Sequence, residues 1–288
     1  MTIARVFPRK TKASPDDSLA FFGPPGLLLP EIKKVEISFT FTWDLKLIEI
    51  LEKSWKDVAP INIGGPALGN KGEEFIPGKY LKLGYVITSR GCPNKCWFCS
   101  VWKREGNIRE LEIKDGWNIL DDNLLACSEN HIRNVFLMLS RQNHRPEFTG
   151  GLEATKLKPW IVDLLIKANP SQIFFAYDTE EKYESLIKAG SMLKEAGFTF
   201  NQLRCFVLIG FPNDTIQKAE NRLFKTVKAG FLPMGMLYKN EKGDKNKEWS
   251  KFQRNWARPA IIKSLIKQNN AILKIEKNIK KELAGLFF

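Results

Sequence analysis

The 288-residue sequence has little cysteine, less histidine and no long apolar run, and each shortage removes a class of protein. Five cysteines and two histidines, three of the cysteines crowded together, do not form the spaced framework of a disulfide-stapled secreted scaffold. The opening MTIARVFPRK has no apolar stretch of the kind a signal peptide carries, so a reducing cytoplasm is the expected compartment. The most apolar run, LAFFGPPGLLLP, is short and broken by prolines. It cannot span a bilayer, which takes about 20 consecutive apolar residues in a helix, and no membrane insertion is expected. No internal repeat is present, which sets aside stacked-repeat folds.

What is present suits one large globular domain, or one domain with a small companion: 43% of the residues are hydrophobic and 27% are charged, enough for a sizeable core. Net charge is +13 and the pI is near 9.4, unevenly distributed. From Lys239 onward there are thirteen Lys or Arg against five Asp or Glu, an excess of +8. Such a tail attracts polyanions, nucleic acid among them; the alternative is a lysine-rich solvated helix face.

Three regions are expected. Residues 1–79 run strand, helix, strand (VEISFTF, LKLIEILEKSWKDV, PINIGG) and read as a small α/β unit, with Asp44 placed to cap the helix. Residues 80–240 alternate regularly. Six strands are expected in YLKLGYVITS, NVFLMLS, PEFTGGLEA, QIFFAY, LRCFVLIGF and FLPMGMLY, the third leading into a Gly-Gly turn. Helices are expected between most of them, the first within ELEIKDGWNILDDNLLACSEN. That alternation predicts an α/β fold with a parallel sheet, closing as a partial (β/α)6 TIM-like barrel. Residues 241–288 read as a basic helical extension broken at Pro259, with Trp249, Phe252 and Trp256 on one stripe that packs on the barrel rather than stacking bases.

The chemistry is concentrated in SRGCPNKCWFCS, residues 89–100. Cys92, Cys96 and Cys99 follow a strand that ends at the edge where parallel α/β folds gather ligands. Three soft thiolates on a compact loop can hold three corners of a [4Fe–4S] cube, leaving the fourth iron open. A structural zinc would need a distant fourth ligand from Cys127, Cys205, His131 or His144, and a dithiol redox site would leave Cys92 idle.

The C-x3-C-x2-C spacing, with Phe98 just before the last cysteine, resembles the cluster signature of the radical S-adenosylmethionine (SAM) superfamily. TSRGCPNKCWFC is most similar to the branch in which a cobalamin-binding-like domain precedes the radical domain. Here that domain is shortened and its D-x-H-x-x-G loop is missing, so histidine-ligated cobalamin is not expected. The resemblance spans about residues 80–240. It implies a [4Fe–4S] cluster whose open iron is chelated by SAM, reductive cleavage of SAM to a 5′-deoxyadenosyl radical, and abstraction of a substrate hydrogen. A flavodoxin or ferredoxin is the implied reductant.

The resemblance also implies site residues. Gly150, Gly151 and Glu153 are similar to the family's Gly-Gly-acid motif for the SAM amino group, but with an inserted leucine and after the third expected strand instead of the second. Ile209 and Gly210, in VLIGFPNDT, would flank adenine, and Phe98 in the cysteine loop is a further cofactor-binding residue. Tyr177 and Asp178 would meet the ribose, although Asp178 with Glu181 also forms a capping box, the preferred reading. Asp214 reads as a helix cap. The polar loop Arg141, Gln142, Asn143, His144 would face substrate, or is simply solvated. GGPALG, residues 64–69, offers backbone N–H groups to a cofactor or phosphate. No catalytic acid or base is assigned. The substrate is expected to be a nucleic acid or nucleotide; the alternatives are a small metabolite or peptide, or a metal-stabilised nucleic-acid-binding protein that is not an enzyme.

Overall fold

The computed structural model describes residues 2–240, 243 and 246–269. Two parallel sheets are built in succession. In the first, β1 (Ile3–Phe7), β2 (Ala20–Phe22), β3 (Lys34–Ser38) and β4 (Ile61–Gly64) lie in the order β2-β1-β3-β4, every pair parallel. Val6, Val35, Ile37 and Phe39 pack with Leu51 and Trp55 of α1 (Ile48–Trp55) into a core of their own. Asp44 does not cap that helix. It lies in a 3-10 turn over 42–47, is 1% exposed, and is held in an ion pair by Arg9, whose Nε donates to it at 2.9 Å. A buried carboxylate with a guanidinium in reach gains more from the pair than from helix N–H groups.

The second sheet has the order β12-β11-β10-β9-β8-β5. Its strands are β5 (Tyr85–Val86), β8 (Asn118–Ile119), β9 (Glu147–Leu152), β10 (Gln172–Ala176), β11 (Leu203–Ile209) and β12 (Leu232–Leu237), all parallel. Each strand therefore neighbours the next in the chain, the order of a singly wound sheet. A separate two-stranded ribbon, β6 (Ser89–Arg90) with β7 (Arg109–Glu110), stands beside it. The short helix α2 (Val101–Arg104) lies between β6 and β7, and helices α3 (Glu129–Ser140), α4 (Pro159–Ala168), α5 (Tyr183–Glu195) and α6 (Ile216–Lys228) cover one face of the sheet. Alternation in β11 sends Leu203, Cys205, Val207 and Ile209 beneath them and leaves Arg204, Phe206 and Leu208 half-buried on the other face.

Two expected elements exchange places. NVFLMLS is not a strand but most of α3, and the stretch read as a helix contains strand β8 instead. A short apolar run satisfies either period. Here Ser128 accepts a hydrogen bond from the His131 N–H at 3.2 Å and starts a helix, and Ile132, Val135, Phe136 and Leu139 then fall on one buried face while Leu137 is exposed. The strand count survives because β8 replaces the lost strand. Gly150-Gly151 is also not a turn: it lies within β9, where two residues of β10 span four of β9, a bulge.

At the C-terminal side, α7 (Lys247–Asn255) packs on β12, Trp256 is 1% exposed, and its carbonyl accepts the Gly235 N–H at 2.8 Å. The aromatic stripe is thus a packing stripe. Helical backbone resumes at 259, with Pro259 in its first turn. Most of the basic extension beyond that point lies outside the described residues. No helix among them is long and apolar enough to cross a membrane.

Candidate metal and cofactor site

The ribbon β6–β7, with Ser89 opposite Glu110 and Arg90 opposite Arg109, closes residues 91–108 into a loop at the C-terminal edge of the second sheet. Inside it the Cys92 N–H donates to the Gly106 carbonyl at 3.1 Å, the Cys99 N–H to the Cys96 carbonyl at 3.1 Å, and the Trp102 indole N–H to the same carbonyl at 3.0 Å. The loop is pinned to the linker from the first sheet by Glu105, 1% exposed at its side chain. It accepts from the Gly72 N–H at 3.1 Å, Arg104 at 2.9 Å and Arg109 at 3.4 Å. All three cysteines are unbridged and half-buried. Burial pushes the Cys96 and Cys99 thiols up, and the neighbouring cysteines add to the rise, while Lys182 opposes it at Cys96. Protons therefore stay on these sulfurs until a cation displaces them.

The residues that support this loop were missed by the sequence reading. Asp121, Asp122 and Asn123 leave the end of β8, and their signal, three consecutive polar residues after a short apolar stretch, was hidden by the helix assignment. Asp121 is 2% exposed and accepts from the Thr88 N–H (2.6 Å), the Thr88 hydroxyl (2.7 Å) and the Ser89 hydroxyl (2.7 Å). His131 Nε2 lies 3.2 Å from that Thr88 hydroxyl. Asp122 accepts the Gly91 N–H at 2.8 Å, next to the first cysteine. Burial pushes both carboxyls up, against the hydrogen bonds that favour their charge.

Asn123 joins the cysteines to Glu153. Its amide nitrogen donates to Glu153 Oε2 at 2.7 Å and lies 3.4 Å from Cys92 Sγ, and its buried Oδ1 has no hydrogen-bond partner. Gly150 makes the juxtaposition possible: a Cβ there would run into the Asp121 carbonyl oxygen, so only glycine lets β9 approach β8 this closely. Burial opposes ionisation of Glu153, but hydrogen bonds from Thr155 (2.6 Å) and Asn123, with Lys182 nearby, hold its carboxyl below the usual range. Lys182 thus acts on Cys96, Glu153 and Asp178 together.

Of the other residues singled out from sequence, Asp178 forms no capping box. Thr179 is the residue before the 3-10 turn and makes no side-chain cap, whereas Asp178 accepts the Leu208 N–H at 3.0 Å. Tyr177 is fully buried and packs on Tyr183. Asp214 is not the cap of α6, which is Thr215. It accepts the Gly210 N–H at 2.9 Å and pairs with Arg222 at 2.6 Å, fixing the turn after β11. Ile209 side chain is buried under the helices, so only its backbone reaches the edge. Gly210, Phe211, Pro212, Tyr238, Asn246 and Trp249 line a cleft of about 430 Å³.

Trp97 carries the cysteine loop to that cleft. Its ring centroid is 5.7 Å from Phe211 and 5.8 Å from Tyr238, with Phe98 edge-on at 5.5 Å. Laid flat, the first and last of six strands would stand about 24 Å apart. The contact brings the loop after the first strand onto the ends of the last two.

Arg141, Gln142, Asn143 and His144 are placed at the opposite edge. Because α3 is a helix, the loop after it enters β9 at the strand's N-terminal end, where Gln142 bonds Asp115 at 3.1 Å and His144 stacks on Trp117 at 3.9 Å. They do not face the cysteines. The GGPALG loop consumes its own donors: the N–H groups of Gly65, Ala67, Leu68 and Gly69 bond Asn70, Phe39, Gly65 and Pro66.

Among the described residues no three His, Cys, Asp or Glu converge on a single metal ion. The donor set nevertheless suits a sulfur-ligated cluster, whose irons are bound one thiolate each, and the unpartnered Asn123 Oδ1 beside Cys92 suits a ligand that brings a hydrogen-bond donor.

No family model and no curated protein matches the chain. Among solved structures, coproporphyrinogen III oxidase (HemN) from Escherichia coli, described as a radical SAM enzyme, is similar at a TM-score of 0.38 and 12% identity, over 66% of this chain and 51% of that one. The chain thus spans about half the length of that structure. A likeness this slight carries no argument about fold or chemistry, which rest on the residues above.

Proposed function

We propose that the chain is a radical SAM enzyme, in which Cys92, Cys96 and Cys99 hold a [4Fe–4S] cluster and the adjoining edge of the sheet binds SAM. When bound, the pair supplies a 5′-deoxyadenosyl radical able to take a hydrogen from substrate. The observation that carries this is the placement of Cys92, one of three unbridged thiols on the loop, beside an unpartnered buried acceptor, Asn123 Oδ1, whose amide nitrogen donates to the Glu153 carboxylate. Those two acceptors suit the SAM ammonium, and Lys182 suits its carboxylate. The cleft at Gly210 and Phe211 accepts a planar base. The half-buried face of Phe206, Leu208 and Met234 lies below the same edge, where an apolar lining would exclude water from a radical.

The strand order and the Trp97 contact support reading the second sheet as a partial (β/α)6 barrel, with the first sheet as a reduced unit of the cobalamin-binding-like kind and no cobalamin assigned. Five unbridged cysteines are compatible with a reducing cytoplasm. For substrate, the net charge of +13 favours a nucleic acid or nucleotide over a small metabolite or peptide. Steep loss of RNA or DNA affinity with rising salt would support this, and a flat response would favour the metabolite or peptide.

Anaerobic reconstitution tests the central reading. Iron and sulfide near four of each per chain, roughly the content of one such cluster, and reductive cleavage of SAM to 5′-deoxyadenosine are expected. A single zinc without SAM cleavage would instead point to a metal-stabilised binding protein.

A further inference from the structure

The reading above requires an electron from outside the chain. Cys127 and Cys205 are isolated thiols in sequence, and Cys205 is fully buried among apolar residues, so they offer no second cluster to relay one. Whatever delivers the electron must come up to the loop that carries Cys92, Cys96 and Cys99.

That loop has a one-sided charge. From Gly91 to Ile108 its exposed charged side chains are Lys95 and Lys103, both cationic. Its one carboxylate, Glu105, is buried and occupied by Arg104, Arg109 and the Gly72 N–H. The flanking exposed carboxylates, Glu73, Glu74 and Glu110, belong to the linker and to β7. The Lys103 ammonium sits 5.4 Å from the centre of the Trp102 ring, whose N–H bonds the Cys96 carbonyl, so this cation stands one indole away from a thiol-bearing residue. Trp97, two residues from Lys95, is 55% exposed.

We infer that the outward face of the cysteine loop, marked by Lys95 and Lys103, is the docking surface for an acidic, one-electron carrier protein. The inference rests on the proposed function. Carrier encounters of this kind use small interfaces and are steered by complementary charge, which acts mostly on association rate. For a flavin carrier the step balances simply: an anionic hydroquinone gives one electron to the oxidised cluster and leaves as the neutral semiquinone, with no bond made or broken.

The test uses the reconstituted full chain and an acidic flavodoxin as probe. Binding is measured across salt, carbodiimide cross-links are mapped, and SAM cleavage is driven in parallel by flavodoxin hydroquinone and by dithionite, a small reductant that needs no docking face. A Lys95→Gln, Lys103→Glu variant is checked for unchanged iron content, with Lys103→Glu alone as a second variant that leaves the spacing between the cysteines untouched. The double variant should lose roughly tenfold in flavodoxin affinity at low salt, lose its cross-links at the loop, and keep dithionite-driven cleavage. Equal affinity in both chains, or cross-links confined to other lysines, would overturn the inference. If the unsubstituted chain cleaves no SAM even with dithionite, the proposed function itself fails and the inference with it; that result is separate from a docking failure, in which dithionite still works.

Discussion

The two parallel sheets obey the same rule and reach different ends. In each, the loops that follow the strands gather at one edge, where ligands of α/β folds are usually found. At that edge of the first sheet the polar groups are used up internally. Arg9 holds Asp44, the glycine loop bonds itself, and Trp43 lies between the stacked ring of Phe41 at 4.8 Å and the Lys239 ammonium at 4.3 Å. At the edge of the second sheet, three thiols are unbridged, Asn123 Oδ1 is buried without a partner, and Lys182 draws on three groups at once. Position makes a loop available, and leaving groups unsatisfied makes it a site.

The comparison breaks most sharply at the cysteines. Replacing Cys92, Cys96 or Cys99 singly by Ala should abolish both the reconstituted iron–sulfur chromophore and SAM cleavage; full activity in any one variant would show that this cysteine is not a ligand. Asp121→Ala is expected next in size. It strips three hydrogen bonds from Thr88 and Ser89, which stay buried, so a loss of about 3 kcal/mol in urea unfolding is expected, together with weaker cluster retention. A stability loss with normal iron content would separate Asp121 from the loop it underlies.

The sequence made much of this legible, and the failures trace to two causes. Strands with clean period-2 burial, such as β11, and helices with an apolar buried face, such as α4, stand where the pattern put them. The run from 110 to 140 did not, because five consecutive apolar residues, Val135 to Leu139, fit a strand or a helix equally well. That one ambiguity hid Asp121, Asp122 and Asn123 and sent Arg141, Gln142 and Asn143 to the wrong edge. The three cysteines were legible because their spacing does not depend on the element that carries them. The local cap assignments failed for a second reason: Asp44, Asp178 and Asp214 each found a partner eight or more residues away in sequence, Arg9, the Leu208 N–H and Arg222, which no window of a few residues displays.

At the first sheet, effects should fall on stability alone. Gly65 has φ +118°, and a Cβ would run into the Phe39 backbone, so Gly65→Ala should cost about 2 kcal/mol in thermal or urea unfolding while leaving iron content unchanged. Glu36 gives a smaller, pH-dependent effect. Burial opposes its charge, but Tyr80 (2.6 Å), Lys34 (3.0 Å) and Lys79 (3.2 Å) hold its pKa down to about 2 from an ordinary 4.5. The native state therefore binds fewer protons than the unfolded state between those values. The contribution of Glu36 is full above pH 4.5 and is lost as pH falls toward 2. Glu36→Gln should flatten that limb of the stability–pH curve; an unchanged slope would show that the carboxylate is not held by its neighbours.

The smallest expected effect tests the orientation of the second sheet. Arg141 and Asn143 are exposed on the loop that enters β9, at the edge opposite the cysteines. Substitutions at such positions usually change stability by no more than about 0.5 kcal/mol. Arg141→Ala with Asn143→Ala should therefore leave iron content, SAM cleavage and turnover of the natural substrate at their original values. A large rise in KM for that substrate would mean that it reaches both edges of the sheet, and the contrast between a used edge and an idle one would then lie between the two sheets only, not between the two ends of the strands.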